Sequence, residues 1–229
     1  MIDRAEKQAS VRPDSFTNDS VMLDYIQQVH LNYMWDGAEP NSGLAPERIH
    51  LDGVYPENDA HIVTTGGSGF GVAGLLVGID RGFIDRKEGV KRLQQAVNFL
   101  TKADRFHGVW SHWIDGRTGK TKPFGPKDDG GDLVESSFLM ASLLCVRQYF
   151  AHGNNDEQRL AADIDKLWKE MEFDWYRNGN KDVLYWHWSP NNGWSMNHQI
   201  KGHNECHITY ILAASSPTYP IAESVYHKG

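Results

Sequence analysis

The chain reads Lys127-Asp-Asp-Gly-Gly-Asp-Leu-Val-Glu135 and continues, with little loss of apolar content, to Phe150. Four carboxylates, Asp128, Asp129, Asp132 and Glu135, gather around a glycine pair at the head of that apolar segment. The segment predicts a buried helix over 132–150. Asp132 and Glu135 stand three apart, so they share one face of its first turn. Free N–H groups and the helix dipole favour anions there, and a cap is worth about 0.5 to 2 kcal/mol. One or two carboxylates meet that demand, and four exceed it. Like charges this close raise one another's pKa, which suits an enzyme better than a cap.

The helical pattern recurs on both sides. Phe70 to Phe83 is almost wholly apolar, with small residues at Gly71, Gly74 and Gly78, and predicts a helix buried on every side. Asp85 to Lys102 is amphipathic, with Val90, Leu93, Val97 and Leu100 inward and Asp85 and Glu88 in a capping pattern. Asp156 to Glu172 repeats that outer type through Leu160, Ile164, Leu167 and Trp168, and Glu205 to Ala214 starts another inner helix. Before them all, apolar residues from Phe16 to Tyr33 recur at helical spacing, which predicts a first helix over 15–34 capped by Asp14 or Ser15. Residues 1–15 are polar and predict a disordered tail.

Inner helices alternate with outer ones, and long loops over 36–59, 104–131 and 173–203 separate them. Short strands are expected over 108–114 and 183–188, the first placing Trp110 and His112 on one face. This pattern predicts an all-α, α/α-toroid architecture rather than a bundle with short turns. About six helices are counted, half of those that close a six-hairpin ring, so about three hairpins of an incomplete domain are expected.

Composition narrows the function. A net charge of −7 argues against a nucleic-acid surface. Six of the eight tryptophans lie between Trp110 and Trp188, which suits stacking on sugar rings as well as core packing. Cys145 reads as a small buried residue, and two cysteines make no disulfide framework. No apolar run is long enough to span a membrane, and the N-terminus carries no signal-peptide core. The expectation is a periplasmic or secreted protein whose leader has been removed, or else a cytoplasmic one.

Gly202-His-Asn-Glu-Cys-His207 is a second polar cluster opening a helix. Glu205 reads as a carboxylate facing the first cluster across a cleft, or as a satisfied cap. His203, Glu205 and His207 resemble zinc ligands in spacing, but the full pattern is absent and no metal is expected. Thr64-Thr-Gly-Gly-Ser-Gly-Phe-Gly71 lacks the lysine of a phosphate loop and reads as a small-residue helix start. No nucleophile elbow is present.

Seven ordered stretches carry a resemblance: Trp35-Asp-Gly-Ala-Glu-Pro-Asn-Ser-Gly-Leu-Ala45, Thr65-Gly-Gly-Ser-Gly-Phe-Gly71, Ala103-Asp-Arg-Phe-His-Gly-Val-Trp-Ser-His-Trp113, the acidic run 127–135, Leu184-Tyr-Trp-His-Trp-Ser-Pro190, Gly202-His-Asn-Glu205 and Ala214-Ser-Ser-Pro-Thr218. They resemble the glucoamylase-like (glycoamylase) family of bacterial glycoside hydrolases, which includes endo-β-1,2-glucanases and is related to a domain of cyclic β-1,2-glucan synthases. Ser111 stands where the family often has proline, and Cys206-His207 is less typical. The resemblance implies an (α/α)6 toroid, with residues 16–229 as the N-terminal half of the catalytic domain. It implies hydrolysis of a glucan, best a β-1,2-glucan, with inversion, and without a cofactor. Its functional carboxylates carry over onto Asp128, Asp132, Glu135 and Glu205.

Glu205 is the expected general acid, since a carboxylate in an apolar, Trp-lined helix mouth holds its proton. Asp132 and Glu135, with Asp128 beside them, would position water or sugar. Trp110, Trp113, Trp186 and Trp188, with His112, Asp129 and His187, are the expected substrate-binding residues. The partner is an oligo- or polysaccharide, and an uncovered flank would favour self-association. Two rivals stay open: a sugar-binding protein without turnover, and a transglycosylase-type glucan-processing domain.

Overall fold

The computed structural model describes residues 15–229, so the expected tail and Asp14 lie outside the described residues, Ser15 excepted. Helix α1 (Asp19–Trp35) begins at Asn18, whose side chain accepts the Val21 N–H at 3.1 Å. The cap is therefore Asn18, later than the Asp14 or Ser15 expected from sequence.

Strand β1 (Ile62–Thr64) runs into α2 (Thr65–Asp80), which begins in the small-residue stretch read as a helix start, five residues before the apolar run. Its opening glycines cost helix propensity, about 1 kcal/mol each against alanine. Tertiary packing offsets that cost at Gly69, where a Cβ would stand 2.7 Å from the backbone of Leu139 and Phe138. Phe70 is 64% exposed and Val77 47%, so α2 is not enclosed on every side as predicted.

Helix α3 (Arg86–Lys102) is capped by Asp85, which accepts the Lys87 and Glu88 N–H groups. Helix α4 (Leu133–Phe150) matches the expected segment within a residue. Helix α5 (Asn155–Lys169) carries a reciprocal capping box between Asn154 and Glu157. Helices α6 (His207–Ser215) and α7 (Ser224–Lys228) follow. Helices α2, α4 and α6 pack in series as an inner layer, and α3 and α5 touch each other outside α2 and α4.

The core lies between the layers. Leu93, Val97 and Leu100 of α3 meet Leu139, Leu143 and Val146 of α4 and Leu160 and Ile164 of α5, all with no measurable exposure. Burying each such side chain contributes about 1.5 to 3 kcal/mol. The inward residues predicted for α3 and α5 are all buried. Cys145 is not; it is exposed on α4, and the buried cysteine is Cys206.

All strand pairs are short and antiparallel. Strand β4 (Trp113–Asp115) lies between β1 and β5 (Thr121–Lys122), and β2 (Arg105–Phe106) pairs with β3 (Val109–Trp110). Strand β6 (Gly131–Asp132) pairs with β8 (His187–Trp188), and β7 (Leu184–Tyr185) pairs with β9 (Gln199–Ile200). The single strand expected over 108–114 is thus two strands with different partners. The chain breaks at Ser111 and His112, where the Thr65 N–H and hydroxyl bind the two carbonyls. Trp110 and His112 therefore do not share a strand face.

Candidate active site

The inner helices α2 and α4 begin side by side, and their free N–H groups are met by groups from elsewhere in the chain. Thr64 makes no side-chain cap to α2. Instead the Thr65 N–H donates to the His112 carbonyl at 3.0 Å, and the Gly66 N–H donates to Glu135 Oε2 at 2.9 Å. Asp132 caps α4 through Oδ1, which accepts the Glu135 N–H at 2.9 Å. Its Oδ2 lies 3.0 Å from His112 Nδ1.

Asp132 is fully buried and Glu135 half-buried, so one carboxylate cap is inside and the other reaches the open side. Burial raises the Glu135 carboxyl above its ordinary value, and the nearby Asp132 charge raises it further against the pull of His112 and the Gly66 N–H. Burial alone would lower His112, but its bond to Asp132 and the charges of Asp132, Glu135 and Asp128 leave it raised. The acidic neighbours favour the protonated ring by more than its burial disfavours it.

Asp128 sits on a tight turn in which its carbonyl accepts the Phe124 N–H at 2.9 Å and its own N–H donates to Gly125. His187 Nε2 lies 3.1 Å from Asp128 Oδ1 and accepts the Gly130 N–H at 3.3 Å. Asp128 Oδ1 has no hydrogen-bond partner despite that distance, because the Nε2 beside it is taken up in accepting the Gly130 N–H. His187 is buried and cannot touch a substrate as expected; it stands behind Asp128.

Other expected roles also change. Trp110 has no exposure: its indole N–H donates to the Leu100 carbonyl at 3.0 Å and Arg105 lies over its ring, so it is core. Asp129 turns away to bind Ser189, Asn191 at 2.7 Å and Asn192, latching the 189–193 turn. Ser189 and Asn192 hold that turn together, the Asn192 N–H donating to Ser189 Oγ at 2.8 Å. Burial raises the Asp129 carboxyl, and these three side-chain bonds more than reverse it to leave it lowered.

Trp113 is half-buried and stays at the site, its ring edge-on to Phe124 at 4.8 Å. Phe124 is half exposed and stacks on His112 at 4.2 Å. Sequence reasoning missed Phe124; its place two residues before Pro126 in a turn beside the acidic run was the available signal. Trp186 stacks on His198 at 4.8 Å, and Trp188 faces away from the carboxylates.

Glu205 is exposed at the start of α6, so the apolar enclosure expected around it is lacking. Its neighbour Cys206 is buried, and burial, then the charges of Glu205, Asp132 and Glu135, push the thiol up to about 11. Among the described residues, the group with metal-ligating geometry is His112, Asp128 and Asp132, whose donor atoms lie within 4.8 Å of one another. It is not the His203, Glu205 and His207 set. Asp132 already spends one oxygen on the helix cap and the other on His112, which leaves that group poorly suited to an ion.

The arrangement offers paired carboxylates of unequal environment beside aromatic rings, the requirements of glycosidic bond hydrolysis. A family model, glycoamylase, described as "Putative glucoamylase", matches residues 197–228. The exo β-1,2-glucooligosaccharide sophorohydrolase (non-reducing end) of Parabacteroides distasonis is 50% identical over 213 residues, covering 92% of this chain and 29% of that protein. The endo-β-1,2-glucanase of Chitinophaga pinensis, solved with sophorotriose and glucose, is 61% identical with a TM-score of 0.91, over 94% of this chain and 51% of the other. A β-1,2-glucanase from Parabacteroides distasonis aligns at 48% identity and a TM-score of 0.88, over 96% of this chain and 30% of the other. The chain thus spans about half the length, or less, of the relatives it matches. No helix among the described residues is long and apolar enough to cross a membrane.

Proposed function

This chain is a relative of the glucoamylase-like glycosidases over about half of their length, and from that premise we propose that it forms the N-terminal half of an (α/α)6 catalytic domain hydrolysing β-1,2-glucan. The alternation of inner α2, α4 and α6 with outer α3 and α5 supports the toroid. Residues 16–229 are three hairpins of the six.

The observation that carries the mechanism is the unequal environment of the carboxylates. Glu135 is raised by burial and by Asp132, while Glu205 stands in solvent. Glycoside hydrolysis needs one carboxylic acid for the leaving oxygen and one carboxylate for water. Glu135 is the acid, in place of the Glu205 expected from sequence, and the exposed Glu205 is the partner that activates water. Asp128 holds sugar hydroxyls, and buried Asp132 positions Glu135 and His112 rather than touching sugar. Phe124 and Trp113 wall the leaving side. Inversion separates acid and base by roughly 6.5 to 9.5 Å, leaving room for that water.

The test is a reducing-end assay on linear β-1,2-glucan with proton NMR of the first product. New reducing ends of α configuration support inverting hydrolysis, and β-configured product overturns inversion. Calorimetric binding without any new reducing ends favours a carbohydrate-binding role, and longer oligosaccharides favour transfer. In the variants, Glu135→Gln removes the alkaline limb of the pH–rate profile and Glu205→Gln the acidic one; the reverse pattern exchanges their roles.

A further inference from the structure

A second aromatic group lies off the carboxylate site. Strands β6 and β8 set Asp132 opposite His187 and Gly131 opposite Trp188. Alternation sends Asp132 and His187 to one face of this two-stranded ladder and Trp188 to the other. On that other face Gly131 lies against the Tyr176 hydroxyl and Phe106, which a Cβ there would crowd. Around Trp188 stand Trp175, edge-on at 5.9 Å, and His107, edge-on at 5.2 Å, with Trp194 beside Trp175 at 6.4 Å.

These rings are held in place from below. His107 stacks on Trp175 at 3.7 Å with the planes 14° apart. It does so from a left-handed backbone, φ 53°, which a residue with a side chain adopts at a cost of order 1 kcal/mol or more. The cost is met twice by Glu172, whose N–H donates to the His107 carbonyl at 3.1 Å and whose carboxylate bonds the ring at 2.8 Å. Trp175 is nevertheless 40% exposed. A partly exposed indole held among further aromatic rings makes a contiguous apolar patch, which marks a ligand surface. The ladder that carries Trp188 also carries Asp132, so a chain leaving the carboxylate site reaches these rings across one strand pair.

We infer that Trp175, Trp188, Trp194 and His107 form a stacking platform for distal sugar units of a long glucan, separate from the carboxylate site. Its ligand class rests on the hydrolase reading above. Sugar rings present apolar C–H faces that match indole surface, and the neutral glucan makes no demand for charge. On this reading the disaccharide occupies the carboxylate site alone, and only a longer glucan covers the platform as well.

Tryptophan oxidation footprinting of the whole chain, read by peptide mass, tests this without a variant. Saturating linear β-1,2-glucan should slow oxidation of Trp175 severalfold, while the β-1,2-linked disaccharide leaves it unchanged. Protection of Trp113 with Trp175 oxidised at its free rate would overturn the platform and leave the hydrolase reading standing. Protection of neither overturns both. Trp175→Ala should bind the long glucan about tenfold more weakly and Trp175→Phe less so, the scale of one aromatic contact.

Discussion

Glu135 closes the N-terminus of α2, a helix 69 residues earlier in the chain, by accepting the Gly66 N–H at 2.9 Å. The same carboxyl belongs to the first turn of α4, whose cap is Asp132. Two inner helices are therefore joined at their mouths by one carboxyl group. Gly66 is the condition for it, because a Cβ there would overlap the Glu135 carboxyl.

Gly66→Ala should displace that carboxyl by a fraction of an ångström or more. Turnover of β-1,2-glucan is expected to fall about 10²-fold, the scale of a 1 Å misplacement at a reacting group. Initial rates from a reducing-sugar assay, with circular dichroism to verify folding, check it.

Glu135 also sets a pH signature in stability. Its folded pKa is raised above the ordinary 4.5, so its stabilising share is whole below pH 4.5 and is lost as pH rises through the folded value. Glu135→Gln removes that loss. The variant should melt like the wild type at pH 4 and higher than it near neutrality, while activity drops by roughly 10² to 10⁴. Melting curves from pH 4 to 8 decide it, and a constant difference across the range contradicts the assignment.

His112 titrates above the ordinary 6.5 because of Asp132. Its contribution is complete below pH 6.5 and is lost as pH rises through the raised folded value. Asp132→Asn retains a capping oxygen for α4, since asparagine caps as well as aspartate, but removes the charge. The NMR titration midpoint of His112 should then move down. Asp132→Ala should also cost the cap, about 1 to 2 kcal/mol, measured by denaturant unfolding.

Asp129→Ala should release Ser189, Asn191 and Asn192 together. Amide hydrogen exchange over 189–193 is expected to accelerate, because the turn loses the anion that gathers its donors. Unchanged exchange there would remove the latch assignment.

Glycine positions on α2 separate packing from propensity. Gly74→Ala should stabilise by about 0.5 to 1 kcal/mol, since its Cβ meets nothing nearer than Leu31 at 4.0 Å. Gly69→Ala should destabilise by about 1 to 3 kcal/mol, because its Cβ strikes the α4 backbone at 2.7 Å. Urea midpoints of the two variants give opposite signs if α2 and α4 approach as described.

The helices were legible because their signals are local. Apolar spacing along Val90 to Leu100 and Leu160 to Trp168 marks a buried face without knowledge of its partner. Asp85 and Asp132 announce helix starts by chemistry within three residues. The small-residue stretch from Thr64 to Gly71 was legible as a helix start, but only α4 lying against Gly66 and Gly69 shows why glycine stands there.

By itself the sequence determined the inner and outer helices, the acidic mouth of α4 and a kinship with β-1,2-glucan hydrolases. It named Asp128, Asp129, Asp132 and Glu135 but could not rank them. Only the tertiary structure decided that Asp132 is a buried cap, Asp129 a latch and Glu135 the carboxyl held up by burial. Only it put Trp110 in the core and Trp188 on the far face of a strand pair. The physical reason is that propensity and capping depend on neighbours in the chain, whereas burial, pKa and ring facing depend on residues brought there from tens of positions away.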